Sequence, residues 1–132
     1  MFWTGDQGYI DEDGEQLPRD SIMSRSIDAS GKLVRKLITP HVVAAIREHY
    51  ACPSLDGAEL ENQGGDGTVL SHWEKRVLRG DIMVGSIDGY FDGYMGQMQV
   101  ISKVTMALLQ DSGWCASSHV CSSQYVFCFE II

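Results

Sequence analysis

The stretch from Gly57 to Gly85, GAELENQGGDGTVLSHWEKRVLRGDIMVG, constrains this chain more than any other. Glycines and acids forbid a stable helix between Gly57 and Gly67, and the backbone is expected to take φ > 0 at some of Gly64, Gly65 and Gly67. This glycine-rich turn delivers a histidine, His72, into a short charged segment, and Met83 and Gly85 follow. Ser71 is placed to cap a short helix through Trp73, Lys75 and Leu78 that ends at Gly80. Taken alone, His72 is one histidine beside a tryptophan and defines no zinc site. Met83 alone reads as a core methionine filling an irregular gap.

A chain of 132 residues is long enough for one domain with a core and too short for two comfortable ones. Its net charge of −8, from 18 acidic and 10 basic residues, argues against nucleic acid as a partner, because phosphate contacts need a basic face. No apolar stretch approaches bilayer length, so no transmembrane segment is expected. The N-terminus, MFWTGDQGYIDEDGE, lacks the basic and apolar regions of a signal peptide. Cys52, Cys115, Cys121 and Cys128 fit two disulfides in any of three pairings, and fit four reduced thiols equally well.

Elsewhere the local signals are mixed. Asp11-Glu12-Asp13-Gly14 suggests a calcium loop, but the glycine comes fourth and Ile22 stands where the closing glutamate belongs, so a solvated turn is expected. After the Ser30-Gly31 turn, residues 32–38 alternate well enough for a strand. Thr39-Pro40 starts a helix, with Thr39 able to cap it and proline at its first position; Val42, Val43, Ile46 and Tyr50 follow helical spacing, and Cys52-Pro53 ends it. His41 and His49 lie two turns apart on that helix, too far for one metal ion, and a His49–Cys52 ligand pair is disfavoured by the same geometry. The run GSIDGYFDGYMG from Gly85 reads as a loop or short hairpin. Ser102 caps a second helix through Val104, Ala107, Leu108 and Asp111, with Gly113 closing it. In the tail, Cys115, His119 and Cys121 are too sparse for a zinc knuckle.

Three runs together carry a resemblance: TPHVVAAIREHYACPSLDGAELENQGG, SHWEKR and ISKVTMALLQDSGW. They resemble the leishmanolysin family of zinc metalloendopeptidases, a branch of the metzincins, most clearly over residues 33–114 and more weakly from about residue 9. The resemblance implies that His72 is the third ligand of a zinc ion and that Met83 is the residue of the methionine turn beneath the metal. Glu74 is then no catalytic base, since that role belongs to the glutamate of HExxH, and a structural salt bridge or hydrogen bond is expected for it. HExxH, which supplies two ligands and the base from one helical face, occurs nowhere in these residues. The resemblance therefore implies one partial metallopeptidase domain over 1–132 that begins just past that motif, with no catalytic residue of its own. Its zinc belongs to a complete parent domain acting on protein or peptide substrates. The parent would be membrane-associated, at the cell surface or secreted.

The expected fold class is α+β with much irregular structure: the lower part of a metzincin-type catalytic domain, with apolar surface left exposed. A function of a different class is a non-catalytic relative that keeps the scaffold as a binding or adhesion module.

Overall fold

The computed structural model describes residues 2–3, 9–10, 16–86 and 99–113. Three two-residue strands, β1 (Phe2–Trp3), β2 (Tyr9–Ile10) and β3 (Gln16–Leu17), form a small antiparallel sheet. A single turn of helix, α1 (Arg19–Ile22), leads into β4 (Met23–Ile27), which pairs antiparallel with β5 (Leu33–Leu37), Met23 opposite Leu37 and Ile27 opposite Leu33. The expected strand at 32–38 is β5, while β4 carries no alternation legible beforehand. Their connection is held by Asp28, whose Oδ1 accepts from Ser30 N at 2.8 Å, Ser30 Oγ at 2.6 Å and Lys32 N at 2.9 Å. Gly31 supplies the left-handed φ of +83°.

A third strand, β6 (Ala58–Glu59), pairs antiparallel with β5, giving the order β4-β5-β6. Gly57 makes that approach possible, since a Cβ there would lie 2.5 Å from the Leu37 carbonyl oxygen.

Helices α2 (Pro40–His49) and α3 (Lys103–Asp111) form where the helical spacing predicts them; they pack against each other, and Lys103 pairs with Glu48 across them. Val42, Ile46 and Val104 are buried where they meet, and Leu37, Ala58, Leu60, Trp73 and Val84 continue the same core. Ser102 caps α3, its side chain accepting from Thr105 N, and Gly113 closes it at φ +75°. The cap expected from Thr39 is a correction: Thr39 makes no side-chain cap bond, and its buried Oγ1 has no partner. Asp111 at the end of α3 caps α2 instead, Oδ2 accepting from Val42 N at 3.0 Å and Oδ1 from His41 N at 3.3 Å. A buried carboxylate reaching two orphan N–H groups is a stronger acceptor than a threonine hydroxyl.

At its other end α2 closes with Ala51 N to Glu48 O and Cys52 N to Arg47 O, a double bond pattern that puts Ala51 in the left-handed region at φ 48°. The sequence places the stop there through Pro53 but gives no hint that alanine takes the strained position.

The short helix expected from Ser71 to Gly80 does not form. Trp73 is bridged to both Leu60 and Val84, so residues 72–74 are an extended link between two neighbouring segments, and turns run on to Gly80. Backbone groups already bonded sideways are not available to a helix. Mixed helix and antiparallel sheet, with a large irregular share, make the fold α+β. The readings of Asp11–Gly14, of most of the loop after Gly85, and of Cys115, His119, Cys121 and Cys128 lie outside the described residues.

Candidate functional site

His72 sits on the return arm of an irregular hairpin. Glu61 N donates to His72 O at 2.8 Å, Leu70 N to Glu61 O at 2.9 Å, and Glu74 N to Glu59 O at 2.9 Å. Between these arms the chain loops out through Gly64, whose φ is +99°, and re-enters through Leu70 at φ +66°. Of the three candidate glycines only Gly64 takes a positive φ. Leu70 is the more telling residue, because a branched side chain in the left-handed region is strained and persists only where surrounding contacts impose it.

The imidazole is half-buried, with Nδ1 facing two oxygens: Ser71 Oγ at 2.9 Å and the Thr68 carbonyl at 3.1 Å. The Ser71 hydroxyl has its own acceptor in Gly67 O at 2.8 Å. Both groups can then accept at Nδ1, which assigns the proton to Nδ1 and leaves the lone pair on Nε2. Metal-binding histidines show this arrangement, one nitrogen tied to a carbonyl and the other open.

Met83 lies under the same arm. Trp73 N donates to Met83 O at 2.9 Å, so the residue after the histidine is bonded to the methionine itself. The turn is held by Asp81, only 2% exposed, which accepts from Met83 N at 2.6 Å, Ser102 N at 3.1 Å and the Thr105 hydroxyl at 2.8 Å. Thr105 in turn accepts from Trp73 Nε1 at 2.8 Å. One buried carboxylate thus joins the methionine turn, the start of α3 and the arm carrying His72. Sequence reasoning missed this residue. An aspartate two positions before a residue whose N–H it accepts is a readable local turn, but its bonds to Ser102 and Thr105 come from remote sequence.

Glu74 is buried and bonded to Arg76, whose Nε reaches Oε1 at 2.8 Å, as expected of a structural acid. Burial pushes its carboxyl up, but the Arg76 hydrogen bond and charge outweigh it and hold the group below its ordinary 4.5. An open cleft of about 580 Å³ lies beside the hairpin, lined among others by Thr68, Glu61, Glu74, Arg76, Gly85 and Ser86.

The other histidines of the described residues do not join the site. His41 Nδ1 lies 2.6 Å from Asp111 Oδ1, and His49 meets Tyr50 edge-on at 4.8 Å between ring centres. Cys52 contacts the Ser54 hydroxyl at 3.3 Å rather than His49. No three histidine, cysteine or acidic residues converge to hold a metal among the described residues. His72 fits the part of one zinc donor, and these residues alone do not complete a zinc site.

The family model described as Leishmanolysin, peptidase M8, matches residues 18–124. The leishmanolysin-like peptidase of Caenorhabditis elegans is 43% identical over 111 residues, which is 82% of this chain and 15% of the worm protein. Its counterpart in Drosophila melanogaster is 47% identical over 83 residues, 63% of this chain and 11% of the fly protein. A ciliated left-right organizer metallopeptidase of Danio rerio is 37% identical over 97 residues, 71% of this chain and 14% of the fish protein. The chain therefore spans 11–15% of the length of these relatives. With that family model covering most of its residues, the chain belongs to the leishmanolysin family.

Proposed function

We propose that this chain contributes the third histidine ligand, His72, and the methionine turn, Met83, to the catalytic site of a leishmanolysin-type zinc metalloendopeptidase. The fold is then the lower part of a metzincin-type domain. The observation that carries this reading is the imidazole of His72, with Nδ1 tied to a carbonyl and a hydroxyl and its Nε2 lone pair left for a metal. The bond between Trp73 and Met83 supports it by joining the histidine arm to the methionine turn. When bound, zinc lowers the pKa of a water ligand and polarises a scissile carbonyl.

This chain's own part is to hold one donor rigidly, through the Thr68 carbonyl, the Ser71 hydroxyl and the Asp81 network. The substrate class, protein or peptide, follows from the peptidase family. Two ligands and the general base come, on this reading, from an HExxH helix outside these residues, so the chain alone neither holds zinc tightly nor hydrolyses peptides. Nothing observed favours a binding or adhesion module on its own account.

The test uses the protein carrying both an in-frame HExxH and this segment. His72→Ala there should weaken zinc binding by more than about 100-fold, beyond the 10–100-fold of a change behind the ligands, and abolish peptide hydrolysis. Undiminished zinc in that variant would overturn the ligand assignment. One tightly bound zinc per molecule, with turnover, in the purified 132-residue chain would overturn the division of labour.

A further inference from the structure

We propose that Thr68 and Gly85 are positioning residues, a close-packed lock through which the methionine turn fixes the tautomer and aim of His72. The inference rests on the reading of His72 as a ligand, but its geometry stands apart from any metal. Gly85 is not among the glycines with positive φ, so its backbone would accept any residue. Space is what excludes a side chain: a Cβ at position 85 would stand 2.2 Å from Thr68 Cγ2 and 3.7 Å from His72 Cγ. Thr68 sits in a tight turn, its N–H donating to Gly65 O at 3.0 Å, so a shift of the residue is a shift of that turn.

The γ-methyl of Thr68 therefore occupies the space that Gly85, at the end of the methionine turn, leaves free. Its carbonyl accepts from His72 Nδ1 at 3.1 Å and from the Ser71 hydroxyl at 3.2 Å. Displacing Thr68 moves the acceptor that keeps the proton on Nδ1. Without that acceptor the proton is free to move to Nε2, the nitrogen a metal would need bare. Gly85 thus serves the site through Thr68.

The experiment is a long-range proton–nitrogen correlation spectrum of the metal-free chain in alkaline buffer, where imidazoles are neutral, reading which nitrogen of His72 carries the proton. The wild type and Thr68→Ser should show Nδ1–H. Gly85→Ala should shift the tautomer ratio about five-fold toward Nε2–H, the equivalent of one lost hydrogen bond. In Gly85→Ala/Thr68→Ser the clashing γ-methyl is gone, and the ratio should return.

A folded Gly85→Ala with an unchanged ratio would overturn the lock, as would a double variant that fails to restore it. If Gly85→Ala does not fold, the double variant decides: folded with Nδ1–H supports the lock, and unfolded refutes it. Should these spectra come out as expected while His72→Ala retains zinc in the complete protein, the ligand reading falls and the lock stands.

Discussion

The helix pair and the irregular layer from Gly57 to Ser86 are both buried at their centres, yet they are built on opposite plans. In the interiors of α2 and α3 backbone groups find their partners within a turn, so side chains are left to pack, and Val42 and Val104 are both 0% exposed. In the irregular layer backbone groups bond sideways to other segments, and buried carboxylates fill the gaps. Trp73 is 0% exposed there and Glu74 1%. A helix holds its side chains at fixed periodic positions. The irregular layer can bring His72, Met83 and the start of α3 to one place, at the cost of depending on several remote partners at once.

The sharpest way to break the comparison is to truncate one central residue on each side. Trp73→Ala removes a fully buried indole and the hydrogen bond it donates to the Thr105 hydroxyl, which keeps Asp81 as its acceptor, so it should cost roughly 3–5 kcal/mol. Val42→Ala in α2 deletes less volume and no hydrogen bond, and should cost clearly less. Urea unfolding of the two variants measures both. Equal losses would mean that the tryptophan network adds nothing to packing.

The next contrast concerns who caps α2. Asp111→Ala should cost about 1–2 kcal/mol because two N–H groups lose their acceptor. Thr39→Val, which replaces a buried hydroxyl that has no partner, should be neutral or slightly stabilising. Thermal denaturation separates these outcomes, and a larger loss from Thr39→Val would restore threonine as the cap.

The smallest effect is on pH. The Glu74 carboxyl is held below its ordinary 4.5, so its stabilising contribution is complete above that value and fades as pH falls through the lower folded value. Stability measured from neutral pH downward should decline less steeply in Glu74→Gln than in the parent. An identical slope would remove Glu74 from the acid response.

Apolar surface was expected to remain open, and Ile82 is 51%, Val100 57% and Ile101 47% exposed beside the methionine turn. No helix among the described residues is long and apolar enough to cross a membrane.

What the sequence determined by itself is local or carried by motif. Both helices, the β5 strand, the Ser102 cap and the Gly113 stop follow from periodicity and capping chemistry, which act within a few residues. Membership of the family was legible in ELENQGG and SHWEKR. Tertiary structure alone decided the rest. It turned the expected 71–80 helix into an extended link, because Leu60, Val84 and Met83 competed for the backbone around Trp73. It gave the α2 cap to Asp111, which is distant in sequence. It also made Gly85 a matter of clearance for Thr68 rather than of backbone freedom. Contacts between remote segments obey no period, so no local pattern announces them; they place the arm that carries His72, while its near neighbours Ser71 and Thr68 aim the imidazole.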